Sequence, residues 1–285
     1  MTRVCVVGSL NMDMGFDVDT LPRPGETVLA SSARSTPGGK GANQAVAAAR
    51  AGAQVQLVGA TGDDPAAAQL REHLTANRVG TEGLITVGGP SGGAVVVVDS
   101  AGENIIVVAP GANAQLTLNS PRLRALVADC DVLLVQLEIP VATATAAARE
   151  AHSAGATVIV NASPSGGDAD ELAELAELTD VVVVNEAEAA QWVWPVPHRV
   201  VTRGAGGATY IGGGEEFTVA PPGVEAVDTV GAGDVFAGVL SASWAGGRDS
   251  ALRRACAAGA LATLVPGAGD CAPYAEAIDE AVLPG

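Results

Sequence analysis

Short, uninterrupted runs of β-branched and other apolar residues recur along this chain, and they leave little choice of fold. The runs at 3–7, 54–60, 131–137, 157–160, 181–184 and 199–202 are largely apolar at consecutive positions rather than at alternate ones. Neighbouring side chains of a strand point to opposite faces, so a strand that is apolar throughout has to be covered on both sides. Ala-rich helical stretches lie between the runs, at 41–52, 121–128, 141–154 and 170–178. Strand and helix in alternation predict an α/β three-layer sandwich, with a mostly parallel central sheet between two helix layers. Of the 285 residues 48% are apolar but only 3% aromatic, so the core is expected to be Val, Leu and Ala rather than rings.

Two regions break the rhythm. The segments at about 14–36 and 82–108 contain short strand-like pieces, including 94–98 and 104–108, and read as β-hairpins outside the main sheet. A small sheet built from them is predicted to cover the crevice at the carboxyl ends of the main strands as a lid. From Val230 onward the pattern is helical, at 231–244, 249–264 and 273–283. No repeat or long linker interrupts the chain, so residues 1–285 are expected to form one domain with its lid.

Charge excludes several functions. The formal net charge is −17 and there is no basic run, so the positive footprint that a nucleic-acid binder or a polybasic membrane anchor needs is missing. The Val-rich runs at 95–98 and 181–184 are far too short to span a bilayer as a helix. The chain enters a strand at once, without a secretion-type leader, and a cytoplasmic location is expected. Cys5, Cys130, Cys256 and Cys271 have no metal-site spacing and read as small, reduced core residues.

Five polar or glycine-rich segments stand where strands end. In Asp228-Thr229-Val230-Gly231-Ala232-Gly233-Asp234 two glycines open a helix. The free N–H groups of a first turn, with the helix dipole, make an anion site. A carboxylate there repels a phosphate that merely binds, but suits a group that takes a proton while the amides hold a migrating phosphoryl group. An aspartate is ordinarily ionised at neutral pH and ready to accept. The plainer alternative is a glycine-rich helix start with an exposed Asp234.

Gly38-Gly39-Lys40-Gly41-Ala42-Asn43-Gln44 also opens a helix, and it holds the chain's single lysine among fourteen arginines. A compact ammonium in a glycine-rich turn does what a planar guanidinium cannot. The GxxxxGK[ST] spacing of a phosphate loop is absent, so these amides suit sugar hydroxyls, or only an ordinary strand-to-helix loop. In Gly8-Ser9-Leu10-Asn11-Met12-Asp13, Asn11 and Asp13 share a face of extended chain and can fork onto adjacent hydroxyls, or mark an Asx turn. Asn185-Glu186-Ala187-Glu188 places polar groups in the crevice or caps a helix. Thr202-Arg203-Gly204-Ala205-Gly206-Gly207 passes under a nucleotide or turns a hairpin into 208–211.

In this order the five segments resemble the ribokinase family, the phosphofructokinase-B class of carbohydrate kinases. The resemblance runs from Gly8 to Pro273 and is most specific at 38–46 and 227–238; Leu21-Pro22-Arg23-Pro24-Gly25-Glu26-Thr27 is similar to the approach to the family's lid. It implies that Asn11, Asp13, Gly39, Lys40, Asn43 and Glu138 bind sugar hydroxyls, Glu138 standing in Val135-Gln136-Leu137-Glu138. It implies an anion hole at Gly231, Ala232 and Gly233, with Asp234 against the sugar as catalytic base. Asn185, Thr202, Gly204 and Gly207 match nucleotide contacts, and Glu188 a residue that organises Mg²⁺. A K⁺ site would use Asp228, the carbonyl of Val230, backbone oxygens of Ala262, Val265 and Gly267, and Cys271.

The sequence departs from the family in three places. The stretch 189–201 is shorter than usual and bears on the adenine side. Cys256 stands where a His is common beside the adenine, and Cys271 stands near an oxygen ligand of the monovalent ion. The resemblance implies phosphoryl transfer from MgATP to a pentose, D-ribose at O5. The alternatives are a fructokinase or nucleoside kinase of the same family, or a catalytically silent relative that binds sugar or nucleotide. The expected partners are a small sugar and ATP, with a homodimer through the lid.

Overall fold

Val4 and Val6 face one hydrophobic cluster while Cys5 and Val7 face another, and the same split divides Val132 and Leu134 from Leu133 and Val135, and Val181 and Val183 from Val182 and Val184. These runs are strands sandwiched between two helix layers. Each fully buried Val or Leu contributes about 1.5–3 kcal/mol relative to an exposed one, so sheet and layers stabilise each other.

The computed structural model describes residues 1–282. In chain order the first half holds β1 (Arg3–Val7), β2 (Asn11–Val18), β3 (Ala30–Gly38), α1 (Lys40–Arg50), β4 (Gln54–Thr61), α2 (Pro65–Ala76), β5 (Gly80–Thr86), β6 (Gly92–Val98) and β7 (Asn104–Ala109). After a 3₁₀ turn come α3 (Pro121–Ala128), β8 (Val132–Gln136), α4 (Val141–Ser153), β9 (Thr157–Asn161), α5 (Ala169–Glu177), β10 (Val181–Asn185), α6 (Glu186–Ala189), β11 (His198–Thr202), β12 (Ala208–Gly212) and β13 (Glu215–Val219). The tail is α7 (Ala232–Ser243), α8 (Arg248–Ala262) and α9 (Ala275–Val282).

Among the described residues the main sheet has the order β13-β12-β11-β10-β9-β8-β1-β4-β5. It is parallel from β5 to β11 and closes with the antiparallel β12 and β13. The chain runs outward from β1 through β4 to β5, then crosses back to β8 on the other side. The strand order therefore reverses between β1 and β8, where open α/β sheets form their ligand crevice. A second sheet, β3-β2-β6-β7, is fed directly from β1 by the turn at 8–10. One helix layer carries α1, α2, α7, α8 and α9, and the other carries α3, α4 and α5.

One expectation needs correcting, and one helix was missed. The piece at 82–86 does not belong to the small sheet: β5 pairs in parallel with β4 and forms the edge of the main one. Helix α2 was not anticipated, although Asp64 caps it by accepting the Ala67 N–H and Pro65 sits in its first turn. Its buried face consists only of Leu70 and Leu74, too little for a periodic signal. The expected helix at 273–283 is α9, and Leu283 lies outside the described residues. Glu188 lies within the four-residue α6, and the short stretch after it is turn and loop, with Trp192 buried and edge-on to Trp194 at 5.3 Å. No helix among the described residues is long and apolar enough to cross a membrane.

Candidate active site

At the point where the strand order reverses, the chain leaving β1 meets the chain leaving β8. The Ser9 hydroxyl donates to Glu138 Oε2 at 2.6 Å, and the Lys40 amide at the start of α1 donates to the same oxygen at 3.3 Å. The Gly41 amide donates to Ser9 Oγ and the Ala42 amide to the Ser9 carbonyl. Glu138 is thus an anion at a helix N-terminus, where free N–H groups favour negative charge. Gly39 caps α1 at φ 91°, and a Cβ there would lie 2.7 Å from the Asn11 amide. Only glycine lets the helix start so close to β2.

Asn11 and Asp13 enter from β2. Asn11 Oδ1 accepts from Asn113 Nδ2 at 2.8 Å, and Asn113 also exchanges two hydrogen bonds with the backbone of Leu10. Asn113 was missed from the sequence; Gly111-Ala112-Asn113 repeats the Gly41-Ala42-Asn43 triplet and was the available signal. Asp13 carries a buried Oδ1 without a partner. Burial, then the charges of Glu138 and Asp234, push its pKa up to about 7. The Lys40 ammonium has its pKa raised, chiefly by Asp234 and further by Glu138 and Glu188, against the effect of burial.

Asp234 stands in the first turn of α7 and is 8% exposed, which excludes the reading of an exposed carboxylate at a helix start. Its Oδ2 accepts from Asn43 Nδ2 at 3.1 Å and its Oδ1 from Gln44 Nε2 at 3.0 Å. The cap of α7 is Gly231 in a left-handed conformation, φ 81°, where a Cβ would lie 2.8 Å from the Ala268 Cα. The bond from Val235 N to the Gly231 carbonyl closes the first turn, so the amides of Gly233 and Asp234 precede the intrahelical ladder. No atom lies within 4 Å of where a Cβ on Gly233 would stand.

That open space belongs to a cleft of about 420 Å³ lined by Thr202, Gly204, Gly207, Gly233, Phe236 and Cys256, among others. The volume is in the range of a small-molecule site. The glycine segment after β11 both turns the hairpin into β12 and lines this cleft. Cys256 donates to the Val219 carbonyl at 3.6 Å, and burial pushes its pKa to about 12, so this wall carries no charge. Asn185 and Glu188 form a reciprocal capping box at the start of α6: Asn185 Oδ1 accepts the Glu188 amide and Glu188 Oε2 accepts the Asn185 amide, both at 2.8 Å. Asn185 is paired in register with Thr202, so both stand at the same end of adjacent strands.

Asp228 ties two loops behind the α7 start: Oδ1 accepts the Val230 amide and Oδ2 the Gly267 amide, each at 2.9 Å. The Ala262 carbonyl is met by the Val265 amide at 3.2 Å. Cys271 donates to the Ala268 carbonyl at 3.3 Å, and burial, followed by the Asp234 charge, raises its pKa to about 11. A neutral thiol is a poor ligand for a hard cation. Among the described residues no three His, Cys, Asp or Glu side chains form a metal-binding group.

The Asp13 shift has a stability consequence. A carboxyl with a raised folded pKa binds its proton more tightly in the folded protein than in the unfolded chain, so its contribution is present below about pH 4 and lost as the pH rises through about 7. Asp13→Asn removes that loss. In thermal melts the variant is expected to gain stability relative to the parent from pH 4 to pH 8; parallel curves across that range contradict the assignment.

The sequence pattern of "pfkB family carbohydrate kinase" matches residues 1–194 and 195–275. The ribokinase of Bacillus subtilis is 36% identical over 98% of this chain and 99% of its own length, and that of Haemophilus influenzae is 33% identical over 94% of each. Ribokinase from Thermotoga maritima superposes with a TM-score of 0.88 at 29% identity, covering 98% of this chain and 99% of its own. Arabidopsis thaliana ribokinase complexed with ribose and ATP superposes with a TM-score of 0.89 at 28% identity, covering 99% and 98%. The glycine-rich starts of α1 and α7 fall within the matched residues, and on these grounds the chain belongs to the pfkB family of carbohydrate kinases.

Proposed function

We propose that the protein transfers the γ-phosphoryl group of MgATP to the 5-hydroxyl of D-ribose, with Asp234 as the base. One observation carries this reading: Asp234 is buried and held at both oxygens beside the unbonded amides of α7, between the cleft and the polar groups of Asn11, Asp13, Lys40, Asn43 and Glu138. The Asp234 carboxylate takes the hydroxyl proton and the freed oxygen bonds to the γ-phosphorus. The bond from that phosphorus to the bridging oxygen breaks, and ADP leaves. The amides from Gly231 to Gly233 face the oxygens on which charge builds, which is where such a transition state needs stabilisation.

The relatives called ribokinase, and the Arabidopsis structure with ribose and ATP, support this choice of substrates. A silent relative has no use for a carboxylate at an anion site, and few aromatics weigh against a stacked nucleobase as acceptor. Asp234, Glu138 and Glu188 stand around one ammonium, Lys40, and Asp13 stands beside Glu138 and Asp234. A polyphosphate suits such a site when Mg²⁺ screens its charge, and Glu188 is the side chain we assign to that hydrated ion. The nucleotide lies against Thr202, Gly204 and Gly207, with Asn185 at the adjacent strand end. The four cysteines are free thiols, as a reducing cytoplasm keeps them, and we place the reaction there.

Across a panel of pentoses, hexoses and nucleosides with MgATP, D-ribose is expected to give the highest kcat/KM by ADP release. Asp234→Asn is expected to lower kcat by roughly 10²-fold or more with a smaller effect on ligand affinity. Near-full turnover by that variant removes Asp234 as the base.

Oxygens of Asp228, Val230, Ala262, Val265 and Gly267 suit a large hard cation, and we assign K⁺ to them. Turnover is expected to rise when KCl replaces choline chloride at constant ionic strength; a flat response counts against the ion.

The small sheet ends in β7, an edge strand with Ile106 50% and Val107 62% exposed. Such an edge invites a further strand, and we assign a second copy of this chain to it. Light scattering is expected to give a dimer, and Val107→Asp a monomer. A parent chain that is monomeric at micromolar concentration contradicts the assignment.

A further inference from the structure

The site residues named so far leave one buried group beside the base without a role. Gln44 is 0% exposed, and its Nε2 lies 3.0 Å from Asp234 Oδ1 and 3.0 Å from Asn161 Oδ1. Asn161, at the carboxyl end of β9, places Nδ2 3.2 Å from the Val183 carbonyl on β10. The orientation of each amide follows from this backbone oxygen. A carbonyl only accepts, so Asn161 has to present its NH₂ to Val183 and its oxygen to Gln44. Gln44 then has to present its NH₂ there too, and its second hydrogen falls on the carboxylate. The main sheet dictates, through two side chains, which face of Gln44 meets the base.

We infer that Gln44, locked by Asn161, is a positioning residue that fixes the rotation of the Asp234 carboxylate. The inference rests on the reading of Asp234 as the base. Helix packing supports it. A Cβ on Gly238 would lie 2.4 Å from the Gln44 carbonyl and 2.8 Å from the Ala47 Cβ, so α7 crosses α1 at a distance only a glycine allows. The crossing holds Asp234 over two successive amides of α1, which grip its two oxygens separately. Gln44 Oε1 is buried without a partner. An apolar side chain there would avoid that cost; what the amide gains in return is the pair of bonds from Nε2 to Asp234 and Asn161. The charges that face Asp234 are the Lys40 ammonium from α1 and the Asp13 carboxyl from β2, with the Cys271 thiol nearby; Glu138 and Glu188 stand around Lys40.

Gln44→Leu frees the carboxylate to rotate and is expected to lower kcat by roughly 10- to 100-fold, with a smaller change in the KM for ribose. Gln44→Glu removes the donor, sets a second carboxyl against the base, and is expected to lose at least as much kcat. Asn161→Ala, which leaves Gln44 in place but unlocked, shows a milder version of the Gln44→Leu effect, and serves in its stead if that variant does not fold. Melting curves check folding throughout. If Gln44→Leu and Asn161→Ala keep the parent kcat while Asp234→Asn is inactive, the positioning role is wrong and the base stands. If Asp234→Asn itself turns over normally, the reading beneath it fails first.

Discussion

The crossing of α1 over α7 is the contact on which the site depends. Each helix begins with a glycine-rich segment, and each start points toward the carboxyl ends of the central strands. Gly238 lets the two backbones approach closely enough for Asn43 and Gln44 to hold Asp234 from 191 and 190 positions away in sequence. Without that approach the carboxylate would lie among apolar groups with no donor, and a buried charge without partners is expensive. With it, Asp234 is held at both oxygens beside the cleft that Gly233 lines. The two motifs act as one unit because of packing.

The electrostatics of the site invert those of the molecule. A chain with net charge −17 repels a polyphosphate at long range. The counterweight is local and mostly uncharged, in the amides at the start of α7 backed by the helix dipole. Lys40 adds the ammonium, with its protonation reinforced by the carboxylates around it. Burial, with the charges of Glu138 and Asp234 behind it, favours the protonated form of Asp13 as well, which leaves that carboxyl closer to neutral. Acidic groups can thus crowd one crevice because burial tempers the charge of Asp13 while a helix start and one cation face the others.

Much of this was legible in the sequence. Consecutive apolar residues at 181–184 have no stable home except a strand covered on both faces, and glycines before Lys40 and Asp234 mark tight helix starts. The misreadings have physical causes. Whether 82–86 joins one sheet or the other is decided by pairing with β4, a long-range contact that local pattern does not encode. Helix α2 touches the core through two leucines, so its cap was the only strong sign. Asn113, Gln44 and Asn161 are amides whose importance lies in being buried and oriented, and a sequence reports polarity without reporting burial. The residues thought to touch ligand were easier to find than those that hold them in place.

The rarity of lysine has a practical side. Since Lys40 is the sole lysine in the chain and sits half-buried in the crevice, any reagent that acylates lysine side chains has one target here, and it lies inside the site. Random coupling of this protein to a surface through lysine would therefore select for molecules whose crevice is obstructed. Conversely, the extent of acylation at that position, read by mass spectrometry, doubles as a gauge of how often the crevice is occupied.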